Sequence, residues 1–120
     1  MKSFLDLEAA KSAMELVEEV YRLTRMLPKE ETYGIASQLK RAATSIVANI
    51  AEGFGRYTFP DKARHYLIAR GECSEVTAYV LITVRVKLLT SKNTQHALEL
   101  ADRTGRLLSG LIASCKERAA

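Results

Sequence analysis

Six polar residues at helical spacing, Gln38, Arg41, Ser45, Asn49, Glu52 and Arg56, form the row of this chain best equipped for chemistry. Steps of three and four place them along one stripe of a helix. Hydroxyl, amide, carboxylate and guanidinium in line are the materials of a hydrogen-bond network, and Glu75 offers it a second carboxylate. A catalytic pair of Glu52 and Glu75 is the sharper reading. A polar contact between helices through Arg41 or Arg70 is the simpler one. Asparagine is a poor helix former, yet Asn49 lies between Ile46 and Ile50 beside an apolar face. Buried asparagines are kept in coiled coils where they fix register or subunit number. The row therefore predicts a structural polar network of Arg41, Ser45, Asn49, Glu52 and Glu75, set against the plainer alternative of a solvated face.

Other reactive groupings fall short of a catalytic set. His65 and His96 are the only histidines, and neither follows a Glu by three residues, as di-iron bundles require. Asp61 and His65 stand one turn apart but supply a single edge, so no metal is expected. Ser37 and Lys40 have serine–lysine spacing without its companion motifs. Gly53-Phe54-Gly55 lacks the third glycine of a dinucleotide fingerprint and follows a helical pattern, so it predicts a helix C-terminal cap. Cys73 and Cys115 fall on apolar rows and predict reduced, buried thiols. No enzyme and no cofactor are expected.

Charge points to a different chemistry. The net charge is +4, and residues 57–91 and 92–120 carry +2 each, so the C-terminal half is the basic half. Lys62, Arg64 and Arg70, then Arg103 and Arg106, recur at spacings that put each set on nearby helical faces. These five are the candidates for contact with RNA phosphates. The chain has no tryptophan, and Tyr33, Tyr57, Tyr66 and Tyr79 are scattered, so no base-stacking platform is expected. Recognition by charge and shape is the expectation.

The elements that must carry these residues are helices. Of the 120 residues 48% are hydrophobic and 27% charged, a globular composition that makes residues 1–120 a single domain. Breaks at Pro28, Pro60 and Thr90–Thr94 divide the chain into helices over about 6–27, 30–56, 60–89 and 93–118. Short connections predict an all-α, antiparallel, up-down-up-down four-helix bundle. Val76 to Leu89 is rich in β-branched residues, yet its length and the lack of a partner strand favour a helix that is apolar nearly all round. The outer arc of the second helix offers Thr44, Val47, Ala48 and Ala51 with only Lys40 charged. Two helices without a charged outer face predict a homo-oligomer. No run is apolar for the roughly 20 residues that a bilayer needs, and the opening stretch is acidic, so a cytoplasmic protein without membrane contact is expected.

The segment LPKEETYGIASQLKRAATSIVANIAEGFGR over residues 27–56, followed by YLIARGECSEV over 66–76, resembles the family of four-helix-bundle or 23S ribosomal RNA intervening-sequence proteins. The resemblance runs over essentially the whole chain. It implies a small bacterial protein, an antiparallel four-helix bundle and a pentamer, with related bundles serving as accessory subunits of reverse transcriptases. The positions that match the family's motif are Ser45, Asn49, Glu52, Gly53, Gly71 and Glu75. Val47 departs from a frequent proline, and Glu72-Cys73 from a common serine–leucine. The expected function is a non-catalytic, oligomeric scaffold that associates with RNA through phosphate-dominated contacts. The alternative is a purely protein-binding assembly module, and a carrier of small apolar ligands is a more distant third.

Overall fold

The computed structural model describes residues 2–119, and among them there are four α-helices and no strand. They are α1 (Glu8–Arg25), α2 (Ile35–Gly55), α3 (Phe59–Arg85) and α4 (Ser91–Ala119). Two of the four starts carry a side-chain cap. Ahead of α1, the capping box of Ser3 and Asp6 opens a separate 3-10 turn, Phe4–Asp6, and Leu7 at the start of α1 supplies no side-chain cap. The Thr58 hydroxyl accepts from Asp61 N–H at 3.2 Å to open α3, with Pro60 in its first turn. At α4, Thr90 and Asn93 cap each other reciprocally, at 3.1 and 3.2 Å.

Two boundaries differ from the sequence expectation. The second helix begins at Ile35 rather than near residue 30, because Lys29–Glu31 forms a separate 3-10 turn and Gly34 leaves the helical region. The third helix ends at Arg85 rather than at 89. There Lys87 turns left-handed with φ 66°, and the N–H groups of Leu88 and Lys87 close back on Thr83 O and Val84 O. That is the Schellman arrangement, with lysine in the place glycine usually takes. The strand-prone run Val76–Arg85 is helical throughout.

Around one core, each helix packs on two neighbours: α1 and α3 both lie against α2 and α4, while the backbones of the diagonal pairs stay apart. Leu16, Leu23, Leu39, Ile46, Ile50, Val76, Val80 and Leu108 are fully buried, each contributing about 1.5–3 kcal/mol by leaving water. Small residues, Ala10, Ala13, Ala42, Ala69 and Ala97, fill the spaces between them and bring the backbones close. One polar tie crosses the core. Thr104 donates to Leu100 O, which leaves its oxygen to accept from Ser12 of α1 at 2.7 Å. Cys73 and Cys115 are free and buried, and burial pushes the Cys73 thiol up to about 12.

Gly53 does something other than the expected cap. It lies inside the helix, and among the described residues no glycine has a positive φ. A Cβ there would sit 2.6 Å from Tyr66 Cε1 and 3.2 Å from His65 Cβ, so Gly53 sets the close approach of α2 to α3. The cap is supplied instead by Lys62, whose ammonium donates to Phe54 O at 2.7 Å and Gly53 O at 3.4 Å. Gly53→Ala should therefore destabilise the fold by about 1–3 kcal/mol through overpacking. Gly55→Ala, with nothing within 4 Å of the added carbon, should change stability by less than about 0.5 kcal/mol. Urea unfolding followed by circular dichroism separates the two; equal effects would contradict the close-approach role.

Candidate nucleic-acid interface

The polar row on α2 faces the α2–α3 seam and divides into three parts. Arg41 reaches Glu75 of α3 at 3.0 Å, with Gln38 and the Tyr79 hydroxyl joined to the same pair. Asn49 turns back on its own helix, donating to Ser45 O and Ser45 Oγ at 3.0 and 3.2 Å. Glu52 pairs with Arg56 at 2.9 Å and lies 3.8 Å from His65 Nε2. Of the five predicted network residues, only Arg41 and Glu75 join across helices to each other. Arg70 turns the other way, to Ser109 of α4 at 3.2 Å.

Glu72 is the residue that the polar spacing did not reveal. Its Oε2 is buried without a hydrogen-bond partner, 3.8 Å from the Arg41 guanidinium. Burial, then the neighbouring charge of Glu75, pushes its carboxyl above the ordinary range, and Arg41 offsets this only in part.

The five cations have different fates. Lys62 is half-buried and committed to the α2 carbonyls, with its ammonium also 5.6 Å from the Phe54 ring centre. Arg64 is paired with Asp61 at 3.0 Å. Arg70 and Arg106, from α3 and α4, flank one open groove of about 400 Å³. Its walls carry the hydroxyls of Ser74, Thr77 and Ser109, and Gly105 opens the side next to Cys73. Arg106 holds Asp102 at 3.0 Å, an exposed pair that is cheap to exchange for another anion. Arg103 is exposed one helical step away. The α3–α4 seam is therefore where guanidiniums and neutral donors converge, a composition suited to phosphate oxygens.

The apolar surface also differs from expectation. On the outer arc of α2, Thr44 and Ala48 are exposed while Val47 and Ala51 are half-buried, so little apolar area meets water there. Exposed aliphatic side chains gather on α3 and its C-cap, at Leu67, Ile68, Leu81, Ile82 and Val86. The all-round apolar run signalled the last three; Leu67 and Ile68 had no such signal. Among the described residues, no cluster of three His, Cys, Asp or Glu side chains is placed to hold a metal ion. No helix there is long and apolar enough to cross a membrane.

The chain has relatives of the same shape. A family model described as 23S rRNA-intervening sequence protein matches residues 5–110. A crystal structure from Bacteroides thetaiotaomicron VPI-5482, described as a protein with unknown function from the S23 ribosomal protein family, superimposes with a TM-score of 0.81. It is 22% identical, with 88% of this chain and 95% of that one covered, and so it supports the fold alone. No curated protein matches the chain.

Glu72 gives the α2–α3 seam a measurable pH signature. Its folded carboxyl binds a proton more tightly than an unfolded one near 4.5, so its contribution to stability falls as pH rises through the folded value. Glu72→Gln should raise the melting temperature at pH 7, and the difference should close as pH drops below the folded value. Thermal melts from pH 4 to 8 check this. A lower melting temperature for the variant at pH 7 would mean that attraction to Arg41 outweighs burial.

Proposed function

The chain belongs to the 23S rRNA-intervening sequence protein family, and from that premise we propose that it is a non-catalytic, self-assembling scaffold that holds RNA by its phosphates. The helices are read as an antiparallel, up-down-up-down bundle. In support, Ser12 meets Thr104 while Arg22 meets Asn93, and Arg41 meets Glu75 while Gln38 meets Tyr79. Numbers fall along one helix as they rise along the next. The proposed assembly is a homo-pentamer, by family resemblance, acting in the cytoplasm.

The observation that carries the RNA reading is the α3–α4 groove with Arg70 and Arg106 on its two sides. Its lining includes no aromatic side chain, which favours contact with the backbone over stacking of bases. A single chain with a net charge of +4 binds a polyanion weakly. Five copies would present about +20, enough for binding driven by counterion release. The seam between two packed helices, roughly 8–10 Å from axis to axis, suits one strand better than a duplex. The second reading, a purely protein-binding module, is favoured by the exposed apolar side of α3.

Filter binding to two single-stranded RNAs of unrelated sequence tests the proposal. The Arg70→Gln and Arg106→Gln double variant should weaken both together and flatten the plot of log affinity against log salt, by about 0.7 for each phosphate that is no longer neutralised. Lys62→Gln should instead lower stability, through removal of the cap, and leave the salt slope near that of the wild type. No affinity even at low salt would put the protein-binding module first. Strong binding to only one of the two RNAs would refute recognition by charge and shape.

A further inference from the structure

The outer sides of α1 and α3, which are diagonal partners in the bundle, complement each other. On α3 the last turns expose Leu81, Ile82 and Val86, at 52, 45 and 58% of their full areas. Arg85 and Lys87 stand among them, and neither has an ion-pair partner among the described residues. This is a basic, apolar patch that keeps about half of its apolar area exposed. Across the molecule, α1 and the start of α4 border an open groove of about 640 Å³, whose edge includes Glu15, Glu18, Tyr21, Arg22, Arg25 and His96. Arg22 is neutralised by Glu19, through bonds of 2.8 and 2.6 Å, and Arg25 is the one remaining arginine. Glu15 and Glu18 are exposed and have no cationic partner among the described residues. Met14 and Tyr21, 43 and 38% exposed, add apolar surface, and Tyr21 already takes the Lys40 ammonium 5.2 Å from its ring centre.

We propose that the Leu81–Lys87 end of α3 in one copy docks into the acidic α1 groove, Glu15 to Tyr21, of a second copy. This rests on the self-assembly reading and names the surfaces that make the assembly. Heights agree as well as chemistry. Arg22 touches Asn93 at the start of α4, and α4 follows the end of α3 after a turn of five residues. Patch and groove therefore lie at the same end of the molecule, on different helices. Joining them needs no slide along the helix axis. Such a head-to-tail contact closes into a ring where the rotation between copies divides a full turn, and otherwise runs on as a filament. An apolar centre flanked by opposite charges is also the usual anatomy of a specific interface.

Charge reversal distinguishes this contact from others. The wild type should sediment at a multiple of 13.3 kDa. The Arg85→Glu, Lys87→Glu variant should associate at least tenfold more weakly, and so should Glu15→Lys, Glu18→Lys. All four substitutions together should restore the wild-type mass, because the attraction is re-formed with its signs exchanged. All these positions are exposed, and unchanged helical circular dichroism verifies each fold. Should a reversed variant fail to fold, the milder Arg85→Gln, Lys87→Gln variant must still weaken association, and wild-type association must fall with added salt. Wild-type assembly that survives both double reversals overturns the docking surfaces while leaving self-assembly standing, as does a quadruple variant that stays dissociated. A wild type of single-chain mass at every concentration overturns self-assembly itself.

Discussion

The constraint on which this molecule turns is that α3 has more apolar sides than one four-helix layer can cover. Its inner faces are used twice, against α2 and against α4. Ala69, Cys73, Val76 and Val80 vanish into the core. What remains outside still includes Leu67, Ile68, Leu81 and Ile82, with Val86 just past the last helical residue. Scattered exposed leucines need no explanation, but a row of them along one helix does. The self-assembly reading follows from this excess, since burying it returns free energy that the single chain leaves in water.

Close packing elsewhere makes the excess unavoidable. Gly53 draws α2 onto Tyr66 and His65, and alanines along α1 and α2 hold the remaining backbones near one another. The interior is already filled by large aliphatic side chains with alanines between them. The same tightness leaves Glu72 with a buried oxygen that no donor reaches and strands Nδ1 of His65. Polar groups on the α2–α3 seam are thereby tied to packing, whereas those on the α3–α4 seam stay accessible. Arg70 and Arg106 bond only to an exposed serine hydroxyl and an exposed carboxylate, partners that a phosphate can displace.

Sequence periodicity made the four helices legible because apolar residues recur at three and four spacing in α1, α2 and α4. The run from Val76 was harder, since β-branched residues speak for a strand until its length is weighed. Boundaries were less visible: Lys87 in a left-handed turn carries no glycine to advertise it, and Gly34 breaks the start of α2 without a capping side chain. Site residues were legible in kind but not in partnership. Spacing put Arg70 and Arg106 on basic faces, yet only packing brings them to one groove. It equally grouped Lys62 with the phosphate candidates, although the α2 carbonyls claim its ammonium. Asn49 shows the reverse case, a residue singled out by composition whose amide finds its partners one turn back on its own helix.

Zero-length carbodiimide cross-linking reads the docking of α3 on α1 without an intermediary, because it joins an amine to a carboxylate only where the two touch. A bond from Lys87 to Glu15 or Glu18 that forms only in multimers reports a contact between copies. Peptide mapping should find this bond in species of twice 13.3 kDa or more, and never in the single chain. Cross-linked multimers that lack it, or a reaction that leaves every chain single, would contradict assembly through these two surfaces.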